Sequence, residues 1–527
     1  MSTQSELNTA PLPLIPEPVS VRWGDSPAGD WLTSDPFGEV TVGVNKDLPR
    51  TDFSIAIHNN GASITAGSEA ALADGRNAFA QIVHLSAVRS QLAAAATVGH
   101  EQPSEATYRI PALTLSDSPT FAWRGLLVDP ARHFLPVEDL KRLITVMAVY
   151  RFNILHMNLT DDQGWRFEVS GYPRLTEVGA WRERTVEGTP TFEGEDTFAE
   201  DRHGGFYTQE ELRELVRYAR SRGVTVVPGV NLPGHAQAAI AAYPSLGNYP
   251  ERQLLVRETW GVSDHVLGTS ETAFQFVRDV LEQVADIFDS PFVHVGGEDA
   301  PLTEWEHSAE ARTRREEWGY SRESEILGRF MTFAGEVLRD KGKRLAVWDS
   351  SRLVRIPDDA IVLAGSDPKG AKSAASRGFQ TVAAPESVLG LDRVQGRNEP
   401  VGARPELSLE DVLKAEPLPK RLKKEHEALV LGIEATAFGQ YIPTARHLEY
   451  MLFPRLVAIA QHAWGSSIEV EELRERIRAH EPLLAHLGVM SRDVVESVEG
   501  YAANRRVVSV VVVEVEPAGQ RQASFGL

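Results

Sequence analysis

From Pro119 onward the chain repeats one unit, a short apolar run followed by an amphipathic helix, and that repetition limits what it can fold into. Parallel strands cannot be joined by a tight turn. Each needs a crossover, and a helix of ten or more residues supplies it. Eight such runs can be read, at 126–128, 154–158, 224–227, 292–295, 345–348, 361–363, 380–382 and 430–433. Between them, helices are predicted at 137–150, 208–222, 270–288 and 321–341. The first of these puts Val137, Leu140, Leu143, Ile144 and Met147 on one face. The second opens with Thr208 and Glu211, the spacing of a capping box, and stops at Gly223. Eight strand–helix units predict an α/β fold, a closed (β/α)8 TIM barrel. The last three runs are short and weakly periodic, so pattern alone also leaves a doubly wound sheet open.

Upstream of the repeat the rhythm differs. Short β-rich runs at 53–58 and 62–66 flank Gly and Asn turns, and 70–85 reads as one helix, a small α+β unit. The expected organisation is a polar tail at 1–15, an N-terminal α+β domain at 16–118, the barrel at 119–490, and a C-terminal extension at 491–527 with one Val-rich strand at 507–515.

Composition removes several function classes. Lys+Arg 54 against Asp+Glu 74 gives a net charge of -20, which repels nucleic-acid backbones and anionic membranes. The chain has no cysteine, so disulfides, thiolate metal sites, iron–sulfur clusters and cysteine nucleophiles are excluded. No apolar run approaches the roughly 18 residues of a membrane helix. The N-terminus lacks the basic start and apolar core of a signal peptide, so a cytoplasmic location is expected.

In a barrel of this type the loops after the strands form the active face. The first strand is followed by Asp129, Arg132 and His133, and the second by Thr160, Asp161, Asp162 and Gln163. The third leads to Asn231 and Pro233-Gly234-His235, the fourth to Gly296-Gly297-Glu298-Asp299, and the fifth to Trp348 and Asp349. No phosphate-cradling Gly-rich loop leading to Lys-Ser/Thr and no His-x-x-x-His pair occurs, so no committed metal site is read from the pattern. Carboxylates for acid and base work, aromatics for a ring face, and Arg and Asp for hydroxyls suit sugar chemistry. Each residue also has an inert reading: Asp161 and Asp162 as loop caps, His235 as structural, Trp348 as core. The Glu298-Asp299 pair resists one, because burying adjacent carboxylates near a barrel axis is costly.

At these residues the chain resembles glycoside hydrolase family 20, the β-N-acetylhexosaminidases. The matching stretches include Trp123-Arg124-Gly125-Leu126, LHMNLTDDQGWRFEV, VVPGVNLPGHAQAA, FVHVGGED, VWD and MLFPRLVAIAQHAWG, spread over roughly residues 110 to 470. The resemblance implies a barrel preceded by an α+β domain, no cofactor, a glycoside or oligosaccharide substrate, and exo-removal of terminal β-linked N-acetylhexosamine with retention. It also allows a homodimer. In the family the substrate's acetamido oxygen attacks the anomeric carbon, an Asp orients it, and the following Glu protonates the leaving oxygen. By position, Glu298 would orient and Asp299 would be the acid. Arg132 and Asp392 would bind hydroxyls, Asp161 or Asp162 with His235 would support the acid, and Trp348 would line the pocket.

The family order at the pair is Asp-Glu, and here it is Glu298-Asp299. Asn158 replaces a His, Gly229 an acidic residue and Asn231 an Asp. Gly365 and Gly390 stand where a Trp and a Tyr hold the acetamido group, and Phe438-Gly439-Gln440 replaces Trp-x-Glu, leaving Phe438 and Gln440 as candidate sugar contacts. Three readings follow: a retuned β-N-acetylhexosaminidase, a retaining exo-β-glycosidase for a sugar without an acetamido group and with Glu298 as nucleophile, or a carbohydrate-binding protein on an inactive scaffold.

Overall fold

The computed structural model describes residues 11–24, 29–96, 108–188, 197–297, 299–350, 355–397, 399, 401–418, 421–465 and 468–492. Every one of the eight apolar runs is a strand: β1 (Trp123–Val128), β2 (Ile154–Asp161), β3 (Thr225–Val230), β4 (Phe292–His294), β5 (Arg344–Trp348), β6 (Ile361–Ala364), β7 (Gln380–Ala383) and β8 (Val430–Ala437). They pair in parallel in chain order, and β8 returns to pair with β1 from Gly432↔Trp123 to Ala437↔Val128. The sheet is therefore closed, which removes the doubly wound alternative. Several boundaries differ from expectation. β2 and β8 continue three and four residues beyond their apolar runs, and β3 starts at Thr225 and reaches Val230. The added residues include Thr160, Asp161 and Thr436, whose polar side chains are buried at the upper end of the barrel.

The helices follow their sequence signals. Helix Gln209–Ser221 carries the full capping box of Thr208 and Glu211, and helix Glu271–Ile287 is capped by Ser270. Gly223, at φ +74, ends the first of these, and a Cβ there would stand 2.7 Å from Ala73 Cβ. The chain can turn into β3 so close to the N-terminal unit only with glycine at this point.

That unit is a five-stranded sheet in the order Ser20–Trp23, Leu113–Asp117, Phe53–His58, Gly61–Ala66, Val40–Val44, covered by helix Glu69–Ala96. The helix runs past residue 85 to Ala96. Residues 11–15, expected as part of a polar tail, pack instead against the core: Leu12, Leu14 and Ile15 are buried, and Ile15 N donates to Gln81 Oε1 at 3.0 Å. Their apolar side chains, masked in the sequence by prolines, gain more from burial than from solvent. The expected strand at 507–515, with the rest of the extension from 493, lies outside the described residues.

Candidate active site

The upper ends of β1 and β2 assemble a network of buried charges. Asp129, just past β1, accepts from Asn158 Nδ2 at 2.9 Å, Gly439 N at 2.9 Å and Arg132 Nη1 at 2.6 Å. Arg132 reaches across to Asp161 Oδ2 at 3.0 Å. The other oxygen of Asp161 lies 2.9 Å from His235 Nδ1 and accepts from Asp162 N at 2.8 Å. Asp162 is held by Gln237 N at 3.1 Å and Ser263 N at 2.9 Å, so it also ties the loop after β3 in place. His235 adopts φ +53, a left-handed conformation unusual for a residue with a side chain. The bond to Asp161 compensates for the strain.

The charges of this network are mutually set. Burial works against the charge of Asp161, but Arg132 and His235 outweigh it and hold the carboxyl well below the usual carboxylate range. Burial also works against the His235 proton, yet Asp161 and Asp162 prevail and raise its pKa to about 9. Asp162, with less compensation, is shifted upward by burial. At neutral pH Arg132 and His235 are cations flanking an ionised Asp161. Asn231 Nδ2 bonds to Asn158 Oδ1 at 3.0 Å, and both amides point a donor at Asp161 Oδ2, at 3.4 and 3.2 Å. The two departures at Asn158 and Asn231 are thus one coupled change: a neutral amide pair that donates to the carboxylate without adding charge.

Beneath the network, Glu434 of β8 is fully buried inside the barrel and accepts from Trp123 Nε1 and faces His156 Nδ1, both at 2.9 Å. The ring of His156 lies 4.7 Å from that of His294, which lies 5.0 Å from Trp348. Gly229 serves this arrangement, since a Cβ there would stand 3.0 Å from His156 Nε2. A carboxylic side chain at 229 would displace the imidazole. Trp348 is itself buried, with Phe438 at 6.2 Å, and Phe438 also carries the Arg132 guanidinium 5.6 Å above its ring. Phe438 therefore borders the Arg132 network, with Trp348 packed beside it. Gln440 lies on the same loop, and its Oε1 is buried with no hydrogen-bond partner among the described residues.

Asp299 is exposed on the loop after β4. That loop is packed under the Pro233-Gly234-His235 turn so tightly that a Cβ on Gly234 would meet Asp299 O at 2.8 Å. Glu298 lies outside the described residues. Across the mouth stands a carboxylate that sequence reasoning missed, Glu386, which opens a short helix three residues after β7. Its residue surface reaches solvent, but its carboxyl stands among the loops, and desolvation together with the charges of Asp299 and Asp349 shifts it upward against the pull of Arg393 and Arg132. Asp392 is buried, and burial reinforced by Glu386 raises its pKa to about 7. The rule that polar residues after strands form the site would have found Glu386 had β7 been extended to Ala383.

Glycines stand just past β6 and on the loop after β7, at Gly365 and Gly390. A Cβ on Gly365 would lie 3.4 Å from the Trp348 ring, and one on Gly390 would lie 2.6 Å from Glu386 O. A tyrosine at 390 would require the Glu386 helix to move. Asp161, Asp162 and His235 also bring potential ligand atoms within 4.8 Å of one another. An imidazolium cannot coordinate, and Arg132 already supplies a cation to Asp161, so the donor set suits a proton network better than a metal.

Comparison with known proteins agrees with this geometry. The profile of glycosyl hydrolase family 20, catalytic domain, matches residues 121–467. A beta-hexosaminidase of Porphyromonas gingivalis is 37% identical over 359 residues, 67% of this chain and 44% of the relative. One from Akkermansia muciniphila is 33% identical over 363 residues, 68% of this chain and 71% of the relative. The chain thus spans under half the length of the Porphyromonas protein. Among solved structures, an exo β-N-acetylglucosaminidase from Vibrio harveyi in complex with N-acetylglucosamine superposes with a TM-score of 0.77 at 27% identity, covering 92% of this chain and 79% of that one. A closed barrel, charged residues gathered at its upper rim and a profile spanning most of that barrel agree, and the chain belongs to glycosyl hydrolase family 20.

Proposed function

We propose that the protein is an exo-acting β-N-acetylhexosaminidase that removes a terminal β-linked N-acetylhexosamine with retention of configuration. The observation that carries the reading is the Arg132–Asp161–His235 network, which faces the loop of Asp299 at the barrel mouth. Arg132 offers a fixed cation for ring hydroxyls, and Asp392 offers an acceptor. Asp299, exposed to a leaving group, donates the proton to the glycosidic oxygen as the bond to the anomeric carbon breaks. The substrate's acetamido oxygen forms the new bond to that carbon, and Glu298 is assigned to orient the acetamido group. Water then opens the cyclic intermediate with Asp299 acting as base. The His235–Asp161 bond fixes the turn at Gly234 that packs against Asp299 O, and Trp348 and Phe438 are assigned to border the sugar. The curated relatives named beta-hexosaminidase support the same substrate class.

The glycines at 365 and 390, which carry no aromatic ring for an acetamido group, favour a second reading, a retaining glycosidase for a sugar lacking the acetamido group, with Glu298 as nucleophile. A panel of aryl β-glycosides separates the two. The first expects hydrolysis of the N-acetylglucosaminide and inhibition by a thiazoline mimic of the cyclic intermediate. The second expects turnover of glycosides without an acetamido group, and a covalent adduct on Glu298 from a 2-deoxy-2-fluoro glycoside. Turnover of the fluoro-free glycosides with no inhibition by the thiazoline would overturn the first.

A further inference from the structure

We infer that a cavity between the N-terminal sheet and the lower end of the barrel is a binding site for a small molecule carrying one anionic group on an apolar body. The cavity measures about 640 Å³, within the range that encloses ligands of drug size, and lies between two structural units, where such sites concentrate. It is remote from the catalytic face, since its barrel wall is made by residues that precede or begin the strands, among them Asn153, Thr225 and Pro291.

Two features of the lining specify the chemistry. One wall is apolar, formed by Val40, Val42 and Ile64 of the sheet with Phe79 of the covering helix. The other is cationic in a protein whose net charge is -20: four arginines, at 76, 124, 220 and 222, face only three carboxylates, at 69, 74 and 289. Arg124 is committed to Asp74 at 2.6 Å, and Arg220 is bonded to Asp289. Arg222 has no carboxylate partner among the described residues. Its Nη2 makes one bond of 3.3 Å to Tyr218 Oη, its guanidinium lies 5.0 Å from the centre of that ring, and its Nε is buried without a hydrogen-bond partner. Arg222 is half-buried, and a guanidinium with an unpartnered Nε at a cavity that also has an apolar wall is complementary to a carboxylate, sulfonate or phosphate on a hydrophobic frame. The backbone under Arg222 is fixed, because Asn77 Nδ2 holds its carbonyl at 3.0 Å and Gly223 is wedged against Ala73. The cation is therefore presented by a rigid support.

The test uses two fluorescent probes that share an aromatic framework, 8-anilinonaphthalene-1-sulfonate and its uncharged counterpart N-phenyl-1-naphthylamine, titrated into the folded full chain. The sulfonate probe is expected to bind at one saturable site, at least about tenfold more tightly than the uncharged probe. Arg222→Gln should erase that advantage and leave the uncharged probe unaffected. Val42→Trp, which fills the cavity from the half-buried edge strand, should weaken both probes. Circular dichroism and thermal unfolding confirm that each variant is folded, and if Arg222→Gln fails to fold, Val42→Trp with the two wild-type affinities decides. The inference is overturned by the absence of saturable binding, by equal affinity for the two probes, by binding that survives Val42→Trp, or by displacement of the probe with N-acetylglucosamine, which would put it in the catalytic mouth.

Discussion

At the scale of single residues, proton positions in the mouth depend on a few charges. His235 has its pKa raised above the ordinary imidazole value of about 6.5, to about 9. Its ion pair with Asp161 is therefore fully present below the ordinary value and is lost as pH rises through about 9. The kcat/KM profile is expected to fall on a basic limb near that pH, and His235→Gln should remove the limb as well as lower the plateau. A basic limb unchanged in the variant would assign it to another group. Asp392 behaves in the opposite direction. Its pKa, raised to about 7 by burial and Glu386, means that the carboxylate expected to accept sugar hydroxyls is protonated as pH falls below that value. Glu386→Gln removes a neighbouring negative charge and should move the acidic limb of kcat/KM to lower pH, with the gain appearing in KM. A profile that does not move would show that Asp392 titrates independently of Glu386. Sequence order made Arg132, Asp161, Asp162 and His235 legible, because all four lie at or shortly after the upper ends of strands. It could not show the Asn158–Asn231 coupling, since 73 positions separate the two and only barrel closure places them side by side.

At the scale of elements, the strands were legible because their cores are continuous apolar runs, as expected where both faces of a parallel strand are covered. Their upper ends were not, because the pairing continues through Thr160-Asp161 and Thr436-Ala437, where polar side chains satisfy one another instead of facing solvent. Glu434 escaped notice for the same reason: in an apolar stretch it reads as an exception, whereas in the barrel it is the acceptor that anchors Trp123 and His156. β1 accommodates it only by having Gly125, where a Cβ would stand 2.6 Å from both Glu434 Oε2 and Trp123 Nε1. Gly125→Ala should therefore break the buried hydrogen bond and overpack the barrel interior, a loss of about 2–4 kcal/mol by analogy with other core overpacking and unsatisfied-group changes. Denaturant unfolding measures it, and a change below about 0.5 kcal/mol, the level of a neutral surface substitution, would mean that Glu434 can swing aside freely.

At the scale of the whole molecule, one junction between the N-terminal sheet and the barrel is built on a carboxylate at the end of the last sheet strand. Asp117 pairs with Arg151 through Nη1, accepts from Trp464 Nε1 at 3.0 Å, and accepts from Val19 N at 3.1 Å. Arg151 in turn lies 4.4 Å from the Trp464 ring centre and bonds to Pro16 O, so the entry strand, the sheet, the barrel floor and a late helix converge on one buried ion pair. Composition could suggest two units but not this junction, because its members come from four distant stretches of chain. Removing one partner of a buried pair strands the other charge, and Asp117→Ala is expected to cost about 3–5 kcal/mol. Replacing both partners, Asp117→Ala with Arg151→Met, should recover much of that loss, since no buried charge is left uncompensated. The catalytic mouth lies at the opposite end of the barrel, so turnover of an aryl N-acetylglucosaminide well below the transition should be retained in both variants. Calorimetry decides: a single variant as stable as the wild type, or a double variant no better than the single, would show that the junction is held by packing alone and that the ion pair contributes nothing to docking.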